Sequence, residues 1–358
     1  MRDAALSLLQ TLTQAHAVSG HEEEVRKIFV SELGGCGMIS MDRMGSVFCE
    51  IGGHGPRVMI AGHMDEVGFM VQSITPDGFL QFVTLGGWWE HVLLAQRVEI
   101  LTRSGEKILG IISSRPPHFL PLSDRRQVMS IEQIYIDVGA VNRQEVTEKF
   151  GISLGDPVAP ISPWTPMAGE DLYAAKALDN RLGMACAIQA GKILAATSHP
   201  NCCIITGTVQ EEVGLRGAKP AAAMVRPDVA IVLEAPPADD TPGFSRSDSQ
   251  ARLGGGVQIR AFDPTAITNP RLLHLAIETA QREGIPYQVA VRRSGGTDAG
   301  SIHVSTYGVP CIVLGVPTRY IHSHNGMMNL LDYIHMLELT IALVKRMDEA
   351  TVDQLVAL

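Results

Sequence analysis

The chain has 358 residues, with 29 Lys plus Arg, 38 Asp plus Glu and 12 His, for a formal net charge of −9. Hydrophobic residues make up 46% and charged residues 19%, a globular balance that excludes a disordered chain, and the length suggests about two domains. The acid excess and the lack of Lys/Arg clusters exclude nucleic acid and anionic membranes as partners. No apolar run reaches the roughly 18 residues of a bilayer span.

Residues 1–20, with an acid at Asp3 and no long apolar stretch, read as an amphipathic helix and not as a signal peptide. Ser19 followed by Glu22 has the spacing of a capping box and predicts a helix through Val25, Ile28 and Phe29. Strands are expected at 46–51 and, as a short apolar run buried on both faces, at 57–61. From 68 to 166 the texture changes to short segments at 69–73, 79–84, 97–101, 108–112 and 135–138, separated by turn signals such as Pro76-Asp77-Gly78 and Ser104-Gly105. This stretch reads as a β-rich module. Beyond it, helix-length segments at 181–195, 270–283 and 332–347 alternate with apolar strands at 202–209, 229–233 and 311–316.

That alternation predicts an α/β fold with a mostly parallel sheet flanked by helices. Residues 1–67 and 167–358 would form the α/β domain, with 68–166 inserted as a second, β-rich domain. The six cysteines (Cys36, Cys49, Cys186, Cys202, Cys203, Cys311) form no C-x-x-C pair and two of them sit in an apolar run. They read as small buried hydrophobes in a reducing compartment, which with the N-terminus predicts a cytoplasmic protein.

Ligands of an open α/β sheet bind outside the carboxyl ends of its strands. Each end here carries a His or a carboxylate: His63, Asp65 and Glu66 after one strand, Asp179 before an apolar helix, and Glu211 with Glu212 after the next. Glu234 follows 229–233, and His322 and His324 follow 311–316. Singly, Asp179 would be a helix N-cap, the Glu pair a solvated turn, and each His a loop residue. Together, charges abutting the most apolar strands need a shared counter-charge. Two His and three or more carboxylates suit two divalent ions of the Zn, Co or Mn class. In extended backbone His63 and Asp65 point to one side, so Asp65 can orient the imidazole. Adjacent Glu211 and Glu212 point apart, so one can ligate while the other faces a reacting water.

At these residues the chain resembles the dinuclear-metal aminopeptidases of the glutamyl and deblocking type, which form tetrahedral dodecamers and are sometimes labelled endoglucanases. The matching segments are AGHMDEVGFMV (61–71), AKALDNRLG (175–183), TVQEEVGLRGA (208–218), IVLEAPPADDTPG (231–243), GGTDAGSIH (295–303) and GVPTRYIHS (315–323). The resemblance implies that Asp179 bridges two ions, with His63 and Glu234 completing one site and Glu212 and His322 the other. It makes Glu211 the general base and places Asp65 behind His63. It further implies short peptide substrates and an inserted PDZ-like or β-barrel module through which dimers assemble to a dodecamer. A sugar cleft is not expected, since aromatics are only 5% of the chain.

One departure stands out: the family pattern has Asp where this chain has Glu234. In more distant two-metal peptidases Glu at this place belongs to enzymes other than aminopeptidases. The alternatives are therefore a two-metal deacylase or carboxypeptidase acting on N-acyl amino acids, and a non-catalytic metal-binding protein, which an unligated Glu211 disfavours. Outside the ligand set, Gly295-Gly296-Thr297-Asp298 reads either as an active-site loop or as a strand–helix turn capped by Thr297 or Asp298. Gly254-Gly255-Gly256 reads as a turn, Trp88-Trp89 as module packing or an oligomer contact, and Asp239-Asp240 as a loop near the site.

Overall fold

The structure is a computed structural model, and it describes residues 2–357. Its centre is a nine-stranded sheet. Four fully parallel neighbours form the middle: Cys202–Thr208, Arg57–His63, Val229–Glu234 and Cys311–Gly315. Their side chains are buried almost throughout, as expected of strands covered on both faces. On one side the sheet continues antiparallel through Val47–Ile51 and Met38–Met41. On the other it continues through Val257–Asp263, antiparallel to Cys311–Gly315, and ends with Tyr287–Val291 and Ala266–Ile267. Helices Leu178–Ala195, Leu330–Arg346 and Arg2–Gln14 cover one face in a single large core, and Ala218–Val225 and Ala299–Ile302 cover the other. Among the described residues, no helix is long and apolar enough to cross a membrane.

The expected β module is a closed six-stranded barrel: Gly68–Ile74, Leu80–Leu85, Ile134–Asp137, Lys107–Ser114, Arg97–Leu101 and Pro157–Pro160. It has its own core of Phe69, Val71, Leu80, Phe82, Ile100, Ile112 and Val158. Closure removes the exposed edges a small sheet would otherwise present. A third, four-stranded sheet joins Thr165–Pro166 and Leu172–Ala175 to Gly326–Asn329 and Thr318–Arg319.

The capping box is a correction. The helix spans Glu23–Leu33, and no side chain caps it. The Ser19 hydroxyl instead donates to Asp65 at 2.6 Å, while Glu22 accepts from the Gly20 and Gln210 amides at 2.7 and 3.2 Å. A buried carboxylate beside the active strands outcompetes a helix terminus for that hydroxyl, because charge-assisted hydrogen bonds are the stronger ones. The strand Val257–Asp263 escapes the apolar-run criterion because Gln258, Arg260 and Asp263 interrupt it, and Tyr287–Val291 is a short edge strand that pairs with it.

Candidate active site

The close approach of strand and helix starts with two glycines. A Cβ on Gly62 would lie 2.9 Å from the Gly183 carbonyl carbon, and one on Gly183 would lie 2.4 Å from the Leu233 carbonyl oxygen. Only glycine lets these backbones meet. The contact draws together the end of Arg57–His63, the start of Leu178–Ala195 and the end of Val229–Glu234. His63, Asp179 and Glu234 therefore converge.

The convergence is measurable. His63 Nε2 lies 3.2 Å from Asp179 Oδ1, 3.8 Å from Glu234 Oε2 and 4.0 Å from Glu211 Oε2. His322 Nε2 lies 3.5 Å from Asp179 Oδ2 and 3.2 Å from Glu212 Oε2. The two oxygens of Asp179 thus face two different imidazoles. Potential ligand atoms fall within 4.8 Å of one another in two sets, His63–Glu211–Glu234 and His63–Asp179–Glu212. His324 is not among them: it is buried against Trp88, with ring centroids 5.4 Å apart.

Asp65 does more than the spacing suggested. The His63 Nδ1 is 3.1 Å from the Asp65 carbonyl oxygen and 3.4 Å from its carboxylate. That carboxylate also accepts from the Glu211 and Glu212 amides at 3.0 and 3.1 Å and from Ser19. One buried side chain therefore fixes both the imidazole and the Glu211-Glu212 turn. Ala177, Gln210 and His322 sit beside or within this constellation with φ of 54°, 55° and 55°. Left-handed backbone at residues other than glycine costs about 1–3 kcal/mol each and concentrates at functional sites.

Electrostatics of the cluster are extreme. Burial alone would lower the His63 pKa, but Glu211, Asp179, Asp65 and Glu234 raise it well above the usual range. Burial likewise works against the charged form of His322, yet Asp179 and Glu212 push it up to about 11. Asp179, which burial would raise, is held low by the two histidines. Burial, helped by neighbouring carboxylates, raises Glu211, Glu212 and Glu234, the last to about 8. The excess of buried carboxylate charge behind these shifts is what a pair of cations would relieve, displacing the protons held by the imidazoles and carboxylates. Glu212 Oε1 and Glu234 Oε1 are moreover buried without a hydrogen-bond partner, which is costly unless a cation takes up those lone pairs. The donor set of imidazoles and carboxylates fits a pair of divalent ions.

The cluster floors a cleft of about 410 Å³ walled by Pro236, Arg260, Arg292, Gly296 and Ile321. Asp298 begins the short helix Ala299–Ile302 without capping it. Its buried carboxylate instead accepts from Thr208, and burial raises its pKa to about 6. The Gly254-Gly255-Gly256 turn is occupied from within: the Gly254 and Gly256 amides donate to Asp332, each at 2.7 Å. Asp239 and Asp240 anchor two arginines: Asp239 holds Arg292, which lines the cleft, at 2.7 Å, and Asp240 holds Arg319 in a two-point pair at 2.6 and 2.7 Å. Sequence reasoning gave them no role. An adjacent pair of acids matched to two later arginines was the available signal.

Beneath the site lies a buried ionic group that the sequence reading passed over. Lys176 Nζ contacts both oxygens of Glu66 at 2.6 and 2.7 Å, and Arg181 reaches Glu66 at 3.1 Å while also donating to the carbonyls of Leu12 and Met64. It ties the His63–Glu66 segment to the segment carrying Asp179.

Comparison with known proteins follows the same outline. The family profile described as M42 glutamyl aminopeptidase matches residues 45–339. The chain is 38% identical to the glutamyl aminopeptidase of Lactococcus lactis over 331 residues, covering 91% of this chain and 92% of the relative. It superposes on the TET aminopeptidase of a marine-sediment Thaumarchaeota archaeon with a TM-score of 0.95 and 40% identity, covering 99% of both chains. It also superposes on the Pyrococcus horikoshii TET1 peptidase, which assembles into a tetrahedron or a large octahedral shell (TM-score 0.84, 30% identity, 95% and 99% coverage).

Proposed function

The chain belongs to the M42 glutamyl aminopeptidase family, and from that premise we propose that it hydrolyses the first residue from short peptides at a two-ion centre. His63 and Glu234 would hold one ion, Glu212 and His322 the other, and Asp179 would bridge them. The observation that carries this reading is the division of Asp179, with Oδ1 facing His63 and Oδ2 facing His322. A pair of Zn, Co or Mn ions held there would supply Lewis acidity, to polarise a carbonyl and to lower the pKa of water from about 15.7 towards about 7.

The remaining steps belong to the chain itself. Glu211 faces the same space as His63 and Glu234, within 4.0 Å of the imidazole. It takes the proton of the attacking water and hands it to the leaving amine. Burial and the nearby acids raise the proton affinity of Glu211 against the opposing pull of His63, and ions bound in the cluster would bring it down to where it can act as a base. Asp65 holds the His63 ring and the Glu211-Glu212 backbone in register. A cleft of about 410 Å³ suits a single residue ahead of the scissile bond. Arg260 and Arg292 line it, each paired with an aspartate (Asp263 at 3.0 Å, Asp239 at 2.7 Å) but with a buried Nε left over, and a relative carries the name glutamyl aminopeptidase. Both support an acidic first side chain.

Glu211→Gln tests the assignment. It keeps the volume, should retain both ions by metal analysis, and should lower kcat by at least about a thousandfold. Loss of one ion would make Glu211 a ligand, the role its place in the His63–Glu211–Glu234 set also permits. Glu234 keeps the deacylase or carboxypeptidase reading in view, and turnover confined to N-acyl amino acids would establish that reading instead. Assembly into a large homo-oligomer is supported by the TET1 relative. A cytoplasmic location agrees with six cysteines that form no disulfide.

A further inference from the structure

The barrel and the ligand cluster touch through residues 86–89, which follow the strand Leu80–Leu85. A Cβ on Gly86, where φ is +85°, would lie 2.7 Å from Val67 Cγ1 and 3.3 Å from Glu212 Cβ. One on Gly87 would lie 3.3 Å from the His322 Nδ1. The barrel loop therefore rests directly on two of the residues assigned to the second ion, and any larger side chain would push it off.

The two tryptophans that follow do different things. Trp88 stacks on Phe69 with centroids 4.6 Å apart and donates to the Gly68 carbonyl at 3.0 Å, so it anchors the loop. Trp89 points elsewhere, with its ring beside His91 and 63% of its surface exposed. Tyr320, 55% exposed, borders the same space. Together with Gly87, Ile321 and His322 these residues border a second cleft of about 820 Å³. Ile321 and His322 border the 410 Å³ cleft as well, so the two spaces meet at His322. The smaller one lies over the carboxylates, where a protonated amine is attracted. The larger is twice its volume and flanked by exposed aromatic rings. An enzyme that removes one residue at a time needs this asymmetry: a small space on the amine side and a larger one for everything released.

We propose that the larger cleft receives the released part of the peptide, and that Trp89 and Tyr320 select a large apolar or aromatic residue immediately after the scissile bond. The proposal rests on the aminopeptidase reading. It is physically favoured because covering an exposed indole removes apolar area from water and adds ring–ring contact.

The test holds the first residue at the best-cleaved type and varies the second among Gly, Leu and Phe, with the simple aminoacyl amide as a substrate lacking any released side chain. In the metal-loaded wild type, kcat/KM should rise from Gly to Phe. Trp89→Ala should lower kcat/KM for the Phe dipeptide roughly tenfold, mostly through KM, and leave the amide within about twofold. A readout independent of turnover comes from metal-stripped protein. Titration with the Phe dipeptide should shift tryptophan emission in the wild type and not in Trp89→Ala. An unchanged Phe-to-Gly ratio in the variant overturns the proposal. So does a change in first-residue preference instead, which would place the N-terminal residue in this cleft. A uniform loss on all substrates with a smaller solution mass would make Trp89 a subunit contact. No turnover of any substrate by the metal-loaded wild type would instead sink the aminopeptidase reading itself.

Discussion

Glu66→Gln is the sharpest test of how the site is held. Glu66 accepts from Lys176 at 2.6 and 2.7 Å and from Arg181 at 3.1 Å, and all three side chains are at most 6% exposed. Glutamine keeps the shape and removes the only carboxylate, among the described residues, in direct contact with the two cations. Breaking a buried ion pair by deleting one partner costs about 3–5 kcal/mol, and two stranded cations place this change towards the upper end. The consequence is also functional, because Lys176 and Arg181 flank Asp179 while Glu66 closes the segment that begins at His63. Loosening the group lets the two ligand-bearing segments move apart, so metal affinity should fall together with stability. Urea unfolding gives the first quantity and competitive chelation the second. Glu66→Gln/Lys176→Met restores the native net charge of the group, leaving Arg181 on the Leu12 and Met64 carbonyls. It should be more stable than Glu66→Gln alone. A loss below about 1 kcal/mol in the single variant, or a double variant weaker than the single, would refute the claim that unpaired charge is the cost.

Three further outcomes follow from the same geometry. Ser19→Ala removes a hydroxyl that donates to the buried Asp65 carboxylate at 2.6 Å; it should cost about 1.5–3 kcal/mol in urea unfolding and lower kcat, since Asp65 also sets Glu211. Glu234→Asp withdraws the carboxylate by about one C–C bond, roughly 1.5 Å, from a place 3.8 Å from His63 Nε2. Metal analysis should then show the ion shared with His63 lost first. His16 is buried, and burial lowers its pKa to about 4. The unfolded chain therefore binds a proton between about pH 6.5 and 4 that the folded chain does not, so stability falls as pH drops through that window, by up to roughly 3 kcal/mol. His16→Leu should flatten that part of the urea-midpoint profile against pH, and an unchanged slope would show that His16 is not responsible.

The proposed ligands stand out in the sequence because their chemistry conflicts with their surroundings. His63, Asp179, Glu212 and Glu234 each sit at the end of, or just before, a nearly unbroken apolar segment, and a charge at that point has few structural uses. The barrel was legible for the opposite reason, since its strands alternate and its turns carry Pro and Gly. What stayed hidden depends on partners far away in the chain. Ser19 and Glu22 satisfied a local helix rule, yet Ser19 answers to Asp65 and Glu22 to Gln210. Lys176 and Arg181 looked like polar residues around a helix start, and their partner is more than a hundred residues earlier. The left-handed turns at Ala177, Gln210 and His322 use no glycine, so nothing local announces them. A first layer of ligands is constrained by its own charge against an apolar strand, which a linear pattern records. The layer that aims those ligands is constrained by pairing across the fold, and its members look ordinary until the fold brings them together. The residues that decide where His63 and Asp179 point are therefore the ones a motif leaves out, and it is there that Glu66, Lys176 and Arg181 act.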